Sequence, residues 1–158
     1  MGNNVNPARK ILLIATGGTI ACRETGHGLT PVLDGEGLLR ELPGLSEVCR
    51  VEVLDLMQRD STDITADDRM QMARAVWENR GRYDGFVIAH GTDTMAYTAA
   101  ALSYMIQNSA KPVVLTGSQK SIYNRDTDAR NNLYRAFVYA VSEGAWGVQL
   151  VFDNKVIL

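Results

Sequence analysis

The stretch Lys10-Ile11-Leu12-Leu13-Ile14-Ala15-Thr16-Gly17-Gly18-Thr19 decides the fold of this 158-residue chain. Its first part is almost entirely apolar, and it ends abruptly at a polar turn with two adjacent glycines. A continuous apolar run is typical of a strand that is covered on both faces, as the strands of a parallel sheet are. The stretch therefore predicts a central parallel strand over residues 10–15, followed by a tight turn.

Apolar runs of the same kind alternate with helical patterns along the rest of the chain. Such alternation is typical of an α/β domain in which helices cover both faces of a mainly parallel sheet, a three-layer α/β/α arrangement. The other predicted strands cover residues 51–57, 85–89, 112–116 and 146–152, and the predicted helices cover residues 38–42, 94–107 and 133–141, with one more that begins near residue 65.

Some side chains in these elements carry specific expectations. The run from Thr65 to Asp68 resembles a capping box, and it predicts a helix with Met70, Ala73 and Trp77 on one face. Glycines and a proline in residues 22–35 predict the most mobile loop of the chain. The tyrosines of the later helices are expected to be packing residues with polar tips; they are Tyr97, Tyr104, Tyr134 and Tyr139.

The composition limits the classes of partner. The chain has 16 basic and 18 acidic residues, and this net charge of −2 gives no electrostatic reason to expect nucleic acid or an anionic membrane. No apolar run approaches the roughly 18 residues of a membrane span, and the first residues lack the apolar core of a signal peptide. Cys22 and Cys49 are expected to be buried thiols, with a disulfide between them as the alternative. A cytoplasmic protein is expected.

Polar segments rich in glycine, hydroxyl and acidic residues follow three of the predicted strands, at residues 16–19, 60–63 and 90–94. In an open α/β sheet ligands bind beyond the carboxyl ends of the strands, so these segments are expected to meet in one crevice. Glycines such as Gly18 and Gly91 leave backbone N–H groups unshielded, and such groups bind anions or a developing oxyanion. A nucleotide site is disfavoured because no phosphate-loop motif is present.

Thr19 and Thr92 are the candidate nucleophiles of this crevice. A threonine hydroxyl reacts only when a partner activates it, and Asp93 is placed to anchor a base. The alternative is that each threonine caps a helix or forms a turn, the commoner role of a threonine after a strand. His90 is expected to be a hydrogen-bonded core residue because no second ligand lies at metal spacing. Neither a metal nor another cofactor is expected.

Three segments together resemble the L-asparaginase/glutaminase family. Residues 15–21 (ATGGTIA) are similar to its first signature, and residues 85–95 (GFVIAHGTDTM) are similar to its second. Residues 111–118 (KPVVLTGS) also match, so that the resemblance covers nearly the whole chain from Lys10 onward. The resemblance implies a flavodoxin-like amino-terminal domain and a cytosolic-type enzyme that converts asparagine, and possibly glutamine, to the acid and ammonia.

The resemblance also implies a role for each candidate residue. Thr19 would be the nucleophile that forms an acyl-threonine, and Thr92 with Asp93 would belong to a second catalytic cluster. Ser61 and Thr62 match the positions that hold the α-carboxylate and α-amino ends of the substrate, and Asp93 is similar to the residue that pairs with the substrate ammonium. The full-length family protein would be a homo-oligomer that acts on a small-molecule substrate.

The sequence departs from the family pattern at two places. The family has a tyrosine in the loop after the first motif, whereas this sequence has no tyrosine before Tyr83. The family's catalytic lysine, the partner of Thr92, lies just beyond the last predicted strand. Residues 1–158 are therefore expected to be a truncated amino-terminal domain whose carboxy-terminal domain is absent. Because a base contributes about 10²–10⁴-fold to a rate, this chain alone is expected to have little activity.

Two other functions fit the same motifs. The first is the ammonia-releasing component of a tRNA-dependent amidotransferase, a branch that shares both signatures but usually carries an extra amino-terminal region. The second is a non-catalytic module that binds an amino acid or a partner and keeps the crevice without the lysine.

Overall fold

The computed structural model describes residues 6–25 and 28–157. Its strands are β1 Lys10–Gly17, β2 Cys22–Thr25, β3 Gly28–Pro31, β4 Arg50–Arg59, β5 Gly85–Ala89, β6 Val113–Thr116, β7 Val148–Phe152 and β8 Lys155–Ile157. Its α-helices are α1 Gly35–Arg40, α2 Ala66–Asn79, α3 Met95–Met105 and α4 Ala129–Ala140, and short 3₁₀ helices cover Thr19–Ala21, Leu45–Glu47 and Ser61–Asp63.

Six of the strands form one sheet in the order β4-β1-β5-β6-β7-β8. The pairs from β4 to β7 are parallel, and β8 pairs antiparallel with β7 at one edge. Strand β1 lies between β4 and β5, with Ile14 opposite Leu54 on one side and Ile88 on the other. The predicted mainly parallel sheet with a central first strand is confirmed.

Helices cover both faces of the sheet, as predicted. Alternate residues of β1 point to opposite faces, so that Ile11 and Leu13 enter one core cluster while Leu12 and Ile14 enter the other. Helices α1 and α4 pack on the first cluster, and α2 and α3 pack on the second. Since each cluster is completed by helices, the domain has the three-layer α/β/α arrangement.

Helix α2 begins with the predicted capping box, in which Thr65 and Asp68 exchange hydrogen bonds. Of the predicted face, Ala73 is half-buried against the second core cluster, but Met70 and Trp77 are 51% and 62% exposed, so this face as a whole is not the buried one. The buried stripe instead starts at Asp68 and continues through Met72 and Val76 at four-residue spacing. Asp68 tolerates burial because its carboxylate accepts hydrogen bonds from the backbone N–H and hydroxyl of Thr65.

The tyrosine prediction is confirmed only for Tyr139, which is half-buried and donates its hydroxyl to Gln149. Tyr97, Tyr104 and Tyr134 are exposed, so for them the predicted packing is wrong. Helix α3, which carries Tyr97 and Tyr104, has no charged residue that would have marked its solvent face in the sequence.

The predicted mobile stretch contains regular structure. Strands β2 and β3 form an antiparallel hairpin in which Cys22 pairs with Pro31, directly after the 3₁₀ turn that contains Thr19. Residues 26–27 lie outside the described residues. The mobility of residues 22–35 stays a prediction.

A second hairpin, not predicted from the sequence, joins β7 to β8. Asp153 and Asn154 both have positive φ, at 46° and 61°, the conformation that a type I′ turn requires.

Cys22 and Cys49 are buried free thiols, as predicted, and burial raises the pKa of Cys49 to about 12. In the part of the chain that the structure describes, no helix has the length and hydrophobicity to cross a membrane.

Candidate active site

The polar segments predicted to share a crevice follow neighbouring strands. The first turn, residues 17–19, ends β1; the second turn, residues 90–94, follows β5; and the Asp60 segment, residues 60–63, follows β4. Because β4, β1 and β5 are adjacent and parallel, their carboxyl ends lie at the same edge of the sheet. Thr19 and Thr92 therefore follow neighbouring strands, as predicted.

The first turn is shaped by two glycines with positive φ, 101° at Gly17 and 83° at Gly18. A Cβ added to Gly17 would lie 2.6 Å from both the backbone N and the carbonyl O of Arg59. The N–H of Gly18 donates to the same carbonyl at 3.0 Å. Any side chain at Gly17 would separate the turn from β4, and the N–H of Gly18 is engaged inside the fold. We therefore assign Gly18 to the turn and not to an oxyanion hole.

The three segments are in van der Waals contact through glycines. A Cβ added to Gly18 would lie 2.6 Å from Cα and N of Gly91. A Cβ added to Gly91 would in turn lie 2.7 Å from Cβ and Oγ of Ser61. Thr19 and Thr92 directly follow these touching glycines, and both side chains are partly exposed. The fold thus brings the first turn, the second turn and Ser61 together.

The second turn is held by the side chain of His90, which is fully buried. The carbonyl of Gly91 can only accept, so His90 Nδ1 carries the proton and donates to it at 2.7 Å. In the neutral ring Nε2 then accepts from the Thr98 hydroxyl at 3.0 Å, and Thr98 Oγ1 accepts from Arg69 Nε at 3.1 Å. Burial lowers the pKa of His90, which favours this neutral form. The predicted hydrogen-bonded core histidine is confirmed.

The two predicted substrate contacts in the Asp60 segment, Ser61 and Thr62, have different surroundings. Thr62 donates both its backbone N–H and its hydroxyl to Asp60 Oδ1, each at 2.9 Å, and these bonds lower the pKa of the Asp60 carboxyl. Thr62 is exposed and its hydroxyl proton is used within the segment. Ser61 is buried, and its carbonyl accepts a 2.6 Å hydrogen bond from Thr94 Oγ1. Of the two residues, Ser61 is the one in contact with Gly91.

The sequence reasoning missed Gly117, which follows β6. A Cβ added there would overlap the carbonyl O of His90 and would lie 3.5 Å from Cγ2 of Thr92. The sequence did contain a signal for this residue, because Gly117 follows an apolar strand just as Gly17 and Gly91 do. Asp93 is exposed at the rim next to Thr92. The candidate site is therefore built from the ends of four adjacent strands.

A cavity of about 310 Å³ opens beside the first turn, between β1, β4 and α1. Its lining includes Gly17, Asp55, Gln58 and Ala89. Neither candidate threonine lines it, so we do not count it as part of the site.

The chemistry available at this edge is that of hydroxyl groups, backbone N–H groups and a carboxylate. Within the described ranges, no three histidine, cysteine or acidic side chains are grouped so as to hold a metal ion. Two threonine hydroxyls beside glycine backbone suit attack on a carbonyl carbon and stabilisation of the oxyanion that forms.

Known proteins share this architecture. The chain is 42% identical over 151 residues to an L-asparaginase from Thermococcus kodakarensis, and the structure of the enzyme from that organism superposes with a TM-score of 0.82, covering 94% of this chain and 45% of its own. A Campylobacter jejuni structure, described as a probable cytoplasmic L-asparaginase, is 27% identical with the same TM-score and coverage. A component of the Pyrococcus abyssi glutamyl-tRNA(Gln) amidotransferase is 43% identical over 141 residues, 86% of this chain and 32% of that protein.

The chain spans about 45% of the length of the curated L-asparaginases that it matches. The model of the family described as "Asparaginase, N-terminal" matches residues 10–158, which include both turns and the Asp60 segment. From this match and the shared architecture it follows that the chain belongs to the asparaginase family.

Proposed function

We propose that this chain carries the nucleophile of an L-asparagine amidohydrolase. The observation that carries the proposal is the contact of Gly18 with Gly91, which sets the segments of Thr19 and Thr92 against each other at the carboxyl edge of the sheet. An amide hydrolase that forms an acyl-threonine needs a threonine hydroxyl and, close to it, polar groups that activate it. The first and second turns supply these groups from neighbouring strands.

In the proposed reaction the Thr19 hydroxyl attacks the side-chain amide carbon of asparagine. The Oγ–C bond forms, the hydroxyl proton passes by way of a base to the amide nitrogen, and the C–N bond breaks to release ammonia. Water then attacks the acyl-threonine, which releases aspartate and restores the hydroxyl. The resemblance assigns the base to a lysine that follows the matched strand in the family, with Thr92 as its partner.

The remaining candidate residues hold the substrate in this proposal. Ser61 lies against Gly91 and donates its hydroxyl to the α-carboxylate of the substrate. Asp93, exposed at the rim, pairs with the substrate ammonium. Thr62 donates its hydroxyl proton to Asp60, so in this proposal it contacts the substrate as an acceptor from the ammonium group. The backbone N–H of Gly91 is the proposed oxyanion donor of the two glycines, since that of Gly18 is engaged by Arg59.

A second candidate is an ammonia-releasing component that serves a tRNA-dependent amidotransferase. This candidate is supported by the 43% identity to the Pyrococcus abyssi amidotransferase protein, which is close to the 42% identity with the asparaginase. Both functions use the same threonine chemistry but differ in substrate. Ammonia release that needs free asparagine supports the first candidate, and release that needs glutamine together with a tRNA-binding partner supports the second.

The test compares Thr19→Val, which keeps the side-chain shape without the hydroxyl, with Thr19→Ser, which keeps the hydroxyl. Ammonia release from L-asparagine is measured for the chain alone and for a fusion in which the carboxy-terminal half of the Thermococcus kodakarensis relative follows Leu158. We expect the fusion to be active, the chain alone to be nearly inactive, and Thr19→Val to lower kcat by at least about 10³-fold. Thr19→Ser should retain part of the activity.

Equal turnover by the fusion and its Thr19→Val variant would overturn the proposal. The predicted cytoplasmic location and homo-oligomeric assembly belong to the same proposal, and the cytoplasmic description of the Campylobacter jejuni relative supports the location. Sedimentation of the fusion and fractionation of cells that produce it test these two points.

A further inference from the structure

Residues 117–122, which we call the bridging segment, run close to both candidate threonines. At its start, Gly117 lies against the His90 carbonyl and the methyl group of Thr92. At its end, the N–H of Ile122 donates to the carbonyl of Ile20 at 3.2 Å, one residue after Thr19. Next to it, the buried Ser121 donates its hydroxyl to the carbonyl of Cys22. One six-residue segment thus contacts the second turn and also the residues that directly follow Thr19, in and just after the 3₁₀ helix Thr19–Ala21.

The amino-terminal end of α4 holds the bridging segment by its backbone. The two carboxylate oxygens of Asp128 accept the N–H groups of Gln119 at 2.9 Å and Lys120 at 3.0 Å. Asn132, one helical turn later, donates Nδ2 to the carbonyl of Gly117 at 3.0 Å. Because one carboxyl group accepts two successive backbone N–H groups, Asp128 fixes the middle of the segment.

Asp128 is itself held in place. Asn132 Nδ2 donates to Asp128 Oδ2 at 3.1 Å, and Asn132 Oδ1 accepts the N–H of Asp153 at 3.1 Å. Asn132 is almost fully buried, and its amide is therefore satisfied at both ends within the fold. The side chain of Asp128 has little freedom to turn elsewhere.

Asp128 occupies the N-cap position of α4, where an aspartate normally accepts an N–H of its own helix. Its side chain makes no such cap hydrogen bond. The carboxylate is directed to the bridging segment instead, and Thr127 Oγ1 accepts the N–H of Ala129 at 3.0 Å. The Asp128 carboxylate therefore does not cap α4, and helix capping does not explain why an aspartate stands at this position.

We infer that Asp128 is a positioning residue that sets the distance between Thr19 and Thr92 through the bridging segment. It touches neither threonine and acts by fixing the backbone that contacts the second turn and the residues that follow Thr19. This inference rests on the proposed function, because it gives the two threonines a shared reaction whose rate depends on their separation.

The test replaces Asp128 by Asn, which keeps the shape but leaves one backbone N–H facing an amide NH₂ group. The matched control is Asp126→Asn, because Asp126 is an exposed acid in the same loop that pairs with the Lys120 side chain and not with the backbone. Amide hydrogen exchange is measured on the 158-residue chain without substrate at Ile122 and at Ala21, whose N–H donates to the carbonyl of Gly18 in the first turn at 3.2 Å. The kcat and KM for L-asparagine are measured on the fusion.

We expect Asp128→Asn to accelerate exchange at Ala21 and Ile122 about tenfold, the effect of losing one hydrogen bond. It should lower kcat by roughly 10- to 100-fold with little change in KM, as expected for misplaced reacting groups. Asp126→Asn should change neither. Should Asp128→Asn fail to fold, Ser121→Ala, which removes the bond to the Cys22 carbonyl and the bond from the N–H of Tyr123, is expected to show the same pattern at smaller size.

Faster exchange confined to Gln119 and Lys120, together with an unchanged kcat, would overturn the inference. A fusion without any asparaginase activity would instead overturn the proposed function and the catalytic part of this inference. Exchange at Ala21 and Ile122 would then still decide whether Asp128 holds the two turns.

Discussion

The first turn and the second turn lie against each other, yet they are held in different ways. In the first, Gly17 and Gly18 take positive φ and press against the backbones of Arg59 and Gly91. In the second, Gly91 has no positive φ, and the turn is held by the buried His90 side chain. The first turn therefore depends on residues without a side chain, and the second depends on hydrogen bonds to one particular side chain.

This difference decides which substitutions damage each turn. A glycine turn is disrupted by adding atoms, because neighbouring backbone occupies the space of a Cβ. A turn anchored by a side chain is disrupted by removing a partner, because a buried polar group is left without a hydrogen bond.

Gly18→Ala should have the largest effect. Its backbone, with φ 83° and ψ 175°, lies in a region that only glycine adopts easily, and the new Cβ would meet Gly91 at 2.6 Å. We expect a loss of about 4 kcal/mol in the free energy of unfolding, from strain and overpacking together. Gly44→Ala is the matched control, since Gly44 has φ 87° with nothing within 4 Å, and it should cost about 1 kcal/mol. Urea unfolding that gives equal costs would show that the contact with Gly91 is unimportant.

Thr98→Val should have an intermediate effect. The substitution keeps the shape of the fully buried side chain but removes the hydroxyl that links Arg69 to His90. Leaving His90 Nε2 unpaired should cost about 2 kcal/mol in thermal or urea unfolding. Ser103→Ala, at an exposed hydroxyl of the same helix, is the control and should change stability by less than about 0.5 kcal/mol. If Thr98→Val left the free energy of unfolding unchanged, His90 would hold the second turn without this link.

The pH dependence of stability should show the smallest effect. Burial lowers the pKa of His90 from its ordinary value of 6.5, so below that pH the unfolded chain binds a proton that the folded chain does not. The free energy of unfolding should therefore fall as the pH drops through this range. His90→Gln should show a shallower fall, while His27, present in both proteins, cancels in the comparison. Parallel stability curves would contradict the assignment of a buried neutral His90.

The sequence predicted the first turn more completely than the second because the two turns are held in different ways. Two adjacent glycines after an apolar strand are visible in the sequence, and so is the hydroxyl that follows them at Thr19. The partners that hold the second turn, Arg69 and Thr98, come from two different helices. No local pattern joins residues that meet only after the helices have packed.

Helix α2 shows a second limit of the sequence pattern. Two apolar stripes lie side by side on it, one containing Met70 and Trp77 and the other Met72 and Val76. The second is buried because it continues from Asp68, whose capping bonds let a carboxylate enter the fold. Apolar periodicity alone favours a stripe without a charged residue, and it therefore selected the exposed one. Asp128, similarly, is a cap by its position but not by its hydrogen bonds.

The central claim is that Thr19 in the first turn, and not Thr92 in the second, forms the covalent bond to the substrate. The most direct test is to mix the fusion rapidly with L-asparagine, quench it in acid and map the modified peptide by mass spectrometry. The account predicts an adduct with the mass of asparagine less that of ammonia on the peptide that contains Thr19, and no adduct in Thr19→Val. An adduct on the peptide that contains Thr92 would contradict the account.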